Sequence, residues 1–140
     1  MSVHVVRRAL AWMGASAFAG LAVAGCSSSS APATVTVLDV TLTFVQGETC
    51  NTGGIATEFT AQSGVTVTIL ASAASNLTPL FVLYGPDYAT QVGASQAYGA
   101  GRARLVQVLS QSGAQHVSLC EQNGRAGSVR VTVTEPFLGG

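Results

Sequence analysis

The chain contains no lysine: its six basic side chains are all arginines, balanced by six carboxylates, and charged residues make up only 9% of the composition. Arg7 and Arg8 precede every acid, so beyond residue 25 four arginines face six carboxylates. The net charge there is about −2 with His116 neutral. No basic patch exists, and nucleic acid is not expected as a partner, because affinity for the phosphate backbone rests on clustered Arg and Lys. Tryptophan and methionine are also missing beyond residue 25, and His116 is the single histidine there. No Cys-x-x-Cys pair occurs, which leaves no zinc-ribbon or thioredoxin-like signature. The glycines at 47, 53, 54, 99 and 101 lack the strand–glycines–helix setting of a phosphate loop. No segment beyond residue 25 sustains a helical period. Neither a cofactor nor a metal is expected.

The first 25 residues have their own pattern. Met1 to Arg8 carries two arginines and no acid, and Ala9 to Ala24 is apolar, with Leu10, Trp12, Phe18, Leu21 and Val23 among small residues. This is the layout of a secretory signal, and it is short of the roughly 20 apolar residues a spanning helix requires. Leu21-Ala22-Val23-Ala24-Gly25-Cys26 resembles the lipobox of bacterial lipoproteins. The resemblance implies cleavage before Cys26, a diacylglyceryl group on its sulfur and acylation of the new amino terminus. Two or more acyl chains hold a protein stably at a bilayer, at roughly 0.8 kcal/mol per buried CH₂. Ser27, where an aspartate would imply retention at the inner membrane, implies the outer membrane in a cell that has one, and otherwise the outer face of the plasma membrane. Ser27-Ser28-Ser29-Ser30-Ala31-Pro32-Ala33 has the composition of a flexible tether. The expected organisation is a signal peptide over 1–25, a lipidated cysteine and tether over 26–33, a folded domain over 34–136 and a tail over 137–140.

With Cys26 assigned to lipid, Cys50 and Cys120 remain in an oxidising compartment, which favours one disulfide over a metal or redox role shared with His116. Such a bridge closes a loop of about 70 residues and contributes roughly 4 kcal/mol in the chain-entropy model.

Apolar residues recur with a period of two. Val35 and Val37, then Val40, Leu42 and Phe44, then Val65, Val67 and Ile69, then Val129, Val131 and Val133 alternate mainly with threonine. Each run has one buried and one wet face. The phase shifts around Leu38-Asp39, as a bulge or a switch between sheets would require. Leu80-Phe81-Val82-Leu83-Tyr84 is apolar on both faces and suits a central strand. Turn formers at Ser63-Gly64, Gly85-Pro86-Asp87, Gly99-Ala100-Gly101, Ser112-Gly113 and Asn123-Gly124 separate the runs. The spacing predicts an all-β fold, a small antiparallel sandwich of about eight strands over roughly 34–38, 40–46, 56–61, 65–72, 79–84, 104–110, 115–121 and 128–135.

Several of these segments, in order, resemble bacterial pre-peptidase C-terminal domains, which are small jelly-roll-like sandwiches attached to secreted proteins. Glu58 to Thr68 is similar to their opening pair of strands, and Leu80 to Asp87 to their central strand and Pro-Asp turn. Gln111 to Leu119 is similar to their Gly-containing turn and following strand, and Gly127 to Val133 to their closing strand. Members of that family often carry acids before the central strand, where some bind calcium. Here the stretch is Ser75-Asn76-Leu77-Thr78-Pro79, without a carboxylate, and no calcium site is carried over.

Candidate chemistry is sparse. His116 and Cys120 share a strand face but lie roughly 13 Å apart along it, too far for direct activation. Glu48, Glu58 and Glu121 sit near turns or on wet faces, where solubilising acids belong. Tyr88 and Tyr98 bracket a polar loop and are candidate binding residues, since exposed tyrosines stack on sugars or anchor protein interfaces, although they also suit the end of a core. Arg102 and Arg104 alternate on one wet strand face and could receive an acidic partner. The expected function is non-enzymatic: a lipid-anchored envelope domain that binds a protein or polysaccharide. A structural subunit of an envelope complex is the alternative, and a small envelope hydrolase a third reading.

Overall fold

The computed structural model describes residues 31–139. The leader 1–25, Cys26 and the serines of the tether lie outside the described residues. Nine strands form two antiparallel sheets: β1 (Thr34–Phe44), β2 (Ile55–Ala61), β3 (Thr66–Ala73), β4 (Pro79–Tyr84), β5 (Gln91–Ala94), β6 (Gln96–Ala97), β7 (Arg102–Val108), β8 (Gly113–Glu121) and β9 (Gly127–Pro136). One sheet has the order β1-β9-β3-β7-β6 and the other β2-β8-β4-β5. The all-β sandwich expected from the alternation is the observed architecture.

The core lies between the sheets. Val67, Ile69, Ala71, Ala103, Val129, Val131 and Val133 point inward from the larger sheet, and Phe59, Phe81, Leu83, Val117 and Leu119 from the smaller. These are the apolar members of the period-two runs, so burial of one face of each strand accounts for the register. Full burial of each valine, isoleucine, leucine or phenylalanine among them is worth about 1.5–3 kcal/mol.

Two strand assignments are corrected. Residues 34–38 and 40–46 are one strand, not two. The β1–β9 register passes from Thr36↔Thr134 to Leu38↔Val133, so Val37 is the extra residue of a bulge. The bulge flips the apolar phase without breaking the strand. The segment 85–101, expected as loop, contains β5 and β6. Both are short, and their polar and small residues carry little strand signal.

On the outer face of the larger sheet, residues fall into rows across β1, β9, β3 and β7. One row is Thr36, Thr134, Thr68 and Val106. Moving away from the chain's entry at Thr34, the next rows are Asp39, Thr132, Leu70 and Arg104, then Thr41, Arg130, Ser72 and Arg102. Arg130 donates to both carboxylate oxygens of Asp39, at 2.8 and 2.6 Å. Threonine, β-branched and polar, suits an exposed strand position.

Candidate functional site

The smaller sheet turns Leu80, Val82 and Tyr84 of β4 outward, because Phe81 and Leu83 are committed to the core. Beside them on β8 stand Ser118 and Cys120, paired with Val82 and Leu80. Cys120 is joined to Cys50 across a Cα–Cα distance of 4.9 Å and a sequence separation of 70. The disulfide therefore ties the β1–β2 connection to the outer face of this sheet. Between that connection and β5 lies an open cleft of about 400 Å³, lined among others by Cys50, Leu80, Val82, Tyr84, Ala94 and Ser118. A volume near 400 Å³ lies at the small end of the range for ligand sites, and a mostly apolar floor with a few polar groups is their usual lining.

Beyond Tyr84 the same face continues to His116, its cross-strand neighbour, and to Glu58, opposite His116 on β2. His116 is buried. Tyr88 stacks on its ring, with centroids 3.5 Å apart and planes at 22°. Tyr88 reaches it from the β4–β5 turn, where its φ of 61° is left-handed, a conformation that costs a non-glycine residue free energy. Asp87 builds that turn: its Oδ1 accepts from the amides of Ala89 and Thr90 at 3.0 and 2.9 Å, and its Oδ2 from the Thr90 hydroxyl. The Thr90 hydroxyl and these amides hold the Asp87 carboxyl down to about 2. The Glu58 Oε2 lies 3.4 Å from His116 Nδ1, which is buried with no hydrogen-bond partner. His116 thus has two neighbours that the sequence did not pair with it, Glu58 and Tyr88. Among the described residues no hydrogen bond joins Ser118 to His116.

Of the four candidate binding residues the structure brings together Tyr98 and Arg104 and leaves Tyr88 and Arg102 apart from them. Tyr88 belongs to the smaller sheet's face. Tyr98 belongs to the β6–β7 turn, where the Arg104 guanidinium lies 5.0 Å from its ring centroid. These two line a hollow of about 330 Å³ with Gln96 and Leu105. Arg102 lines a separate hollow of about 130 Å³ beside Leu77 and Gly101. Both tyrosines are exposed, so neither closes the core.

Glu121 corrects the expectation of a solubilising acid. It is 1% exposed. Its Oε1 accepts from the Thr78 amide at 2.9 Å and its Oε2 from the amides of Asn123 and Arg125 at 2.8 and 2.7 Å. Burial alone would raise its carboxyl, but these amides and the nearby Arg125 charge hold it below the usual range. The stretch before β4 that lacks a carboxylate of its own therefore receives one from β8. Arg125 also donates to the Asn76 carbonyl there. No signal short of the β4–β8 pairing could have placed this acid.

No protein-family model matches the chain, and no curated protein matches it. Among solved structures it is similar to the pre-peptidase C-terminal domain of a collagenase from Bacillus anthracis. The identity is 12% and the TM-score 0.56, over 69% of this chain and 87% of that one. At that identity the likeness shows the fold alone: a sandwich of the pre-peptidase C-terminal type. A periplasmic inhibitor of g-type lysozyme from Aeromonas hydrophila matches at 18% identity and a TM-score of 0.46, over 75% of this chain and 86% of that one.

Proposed function

We propose that the protein is a non-enzymatic, lipid-anchored binding module of the cell envelope. Cys26 carries the acyl chains, on the strength of the lipobox resemblance. The folded domain takes up an envelope protein or polysaccharide on the outer face of the smaller sheet. The observation that carries this reading is the cleft of about 400 Å³ whose floor is Leu80, Val82 and Tyr84. A sheet face that displays such residues to solvent, braced at one end by a disulfide and continued at the other by a stacked Tyr88–His116 pair, has the make-up of a recognition surface.

The test is cross-linking of the protein in its own cells, followed by identification of what is recovered. Ala94→Trp fills the cleft from an exposed position on β5, and Cys26→Ala removes the anchor. Recovery of one protein or one polysaccharide, lost in Ala94→Trp with the fold intact, is the expected result. Unchanged recovery in Ala94→Trp, together with Tyr88→Ala, would place the binding surface elsewhere.

A further inference from the structure

Among the described residues eight large hydrophobic side chains are exposed, and five of them gather at one end of the larger sheet. Val35, Val106, Val108, Phe137 and Leu138 are between 38% and 77% exposed. The register puts Val106 and Val108 on the outer face of this end, whereas Val35, opposite Glu135, points to the other face. Val106 shares the row of Thr36, Thr134 and Thr68. Val108, opposite Thr66, and Pro136, opposite Thr34, lie one step further towards the same end. The width from β1 to β7 is three strand spacings, about 14 Å. Phe137 follows directly, its amide donating to the Ala33 carbonyl at 2.8 Å. None of the outward positions Thr34, Thr36, Thr66, Thr68, Val106, Val108, Thr134 and Pro136 is charged. The acid at this end is Glu135, half-buried and opposite Val35. Asp39, Arg102, Arg104 and Arg130 occupy the rows further along. On the outer face the sheet thus runs from uncharged rows at the entry end to charged rows further along.

The apolar end is also where the chain arrives from Cys26. Seven peptide steps separate Cys26 from Ala33, and at 3.3–3.6 Å each they span at most about 25 Å. We infer that this end of the larger sheet rests on the bilayer, with Phe137 and Leu138 in the headgroup region and the charged rows turned away from it. The inference rests on the proposed acylation of Cys26, which supplies the anchor, while the patch supplies the orientation. Scattered apolar residues on a surface need no partner, but exposed apolar residues gathered at the end of a sheet where a membrane tether arrives have one within reach. No arginine lies in the apolar rows, so the contact does not depend on anionic lipid and is insensitive to salt.

Tryptophan fluorescence tests this on the full chain. Trp12→Phe removes the chain's one tryptophan, and Phe137→Trp then reports from the apolar end. Thr43→Trp reports from an exposed site about 30 Å along β1. Each protein is recovered from its own cells and placed in phosphatidylcholine vesicles with brominated acyl chains, and the mass of the Cys26 peptide is read in parallel. The expected result is an acylated Cys26, a blue-shifted and bromine-quenched signal from position 137 and a water-like, unquenched signal from position 43. Acylation with a water-like signal at 137, or with equal quenching at both sites, overturns the orientation and leaves the anchor standing. An unmodified Cys26 overturns the anchor and the orientation with it.

Discussion

Glu121→Gln isolates the carboxylate that holds the start of β4 to the end of β8. Wild-type Glu121 accepts three backbone amides, from Thr78, Asn123 and Arg125, in a position closed to water. Glutamine keeps the shape but presents one oxygen and one NH₂. At least one amide then faces a donor, and the remaining bonds lose their charge assistance. A hydrogen bond to a charged group is worth about 1.5–3 kcal/mol net, and an unsatisfied buried donor costs about 1–3 kcal/mol. The expected loss at neutral pH is about 2–4 kcal/mol, which for a domain of this size lowers Tm by roughly 10–20 °C. The pH dependence has a definite sign. The folded-state carboxyl titrates below its unfolded value, so its contribution is complete above the unfolded value and disappears as pH falls through the folded one. Glutamine does not titrate, so the gap between wild type and variant narrows from about pH 5 downward. Urea unfolding of both proteins between pH 7 and pH 3 measures it. A gap below about 0.5 kcal/mol at neutral pH, within the range of an ordinary surface change, would refute the structural role, and a gap constant with pH would refute its electrostatic origin.

Other consequences follow from single positions. Reduction of Cys50–Cys120 releases a loop of 70 residues and is expected to cost about 4 kcal/mol, read as a shift in the urea midpoint with and without reductant. Gly101→Ala places a Cβ 2.5 and 2.6 Å from the carbonyl oxygens of Ala74 and Ala73 at a φ of 72°, and is expected to lower stability by at least about 2 kcal/mol, measured by thermal unfolding. Phe81→Ala empties the centre of the smaller sheet's inner face and is expected to cost about 3–5 kcal/mol in the same assay. Tyr88→Gly removes the stacking on His116 and the left-handed strain together, so its stability change is expected to stay within about 1 kcal/mol, while the His116 ring resonances shift in NMR as the tyrosine ring leaves.

The parts of the fold that were legible in the sequence are those where burial is one-sided. Val129, Val131 and Val133 alternate with Arg130 and Thr132, and no other register buries all three valines. Leu80 to Tyr84 was equally readable as a central strand, but its outward members were not readable as a cleft floor. Whether Leu80 and Val82 are covered depends on where the β1–β2 connection and β5 lie, and that is a matter of tertiary packing. β5 and β6 were invisible because Gln91-Val92-Gly93-Ala94 and Gln96-Ala97 have almost no apolar alternation; partner strands β4 and β7 make them strands. The bulge announced itself as a phase slip two residues from where it lies, since Val37, Leu38 and Val40 are all apolar and any of them could have been the extra residue. Of the candidate site, Tyr88 was noticed for its aromatic ring, yet its partner His116 lies 28 positions away and is reached only through a turn built by Asp87 and Thr90. Glu121 reads as a surface acid because pairing of distant strands, not local pattern, surrounds it with amides.

The two faces of the sandwich ask different things of the same alternation. In the larger sheet the outward positions are mostly threonine and a few charges, with Leu70 in a middle row and the exposed Val106 and Val108 near the end where the chain enters, so its face has little to offer a small ligand. In the smaller sheet the outward positions of β4 are themselves apolar, and the disulfide holds a connection along one side of them, which makes them the floor of a cleft. If the entry end rests on lipid, β1 and its neighbours stand away from the surface, and the cleft on the opposite sheet opens sideways into the envelope space. Anchor and cleft then do not compete for one surface. Removing the anchor should change where the protein meets its partner without changing how tightly the cleft holds it, whereas filling the cleft should do the reverse. Comparing Cys26→Ala with Ala94→Trp separates the two directly. Loss of intrinsic affinity in Cys26→Ala, measured on the isolated protein with the recovered partner, would mean that the end where the chain enters the domain is itself part of the binding surface.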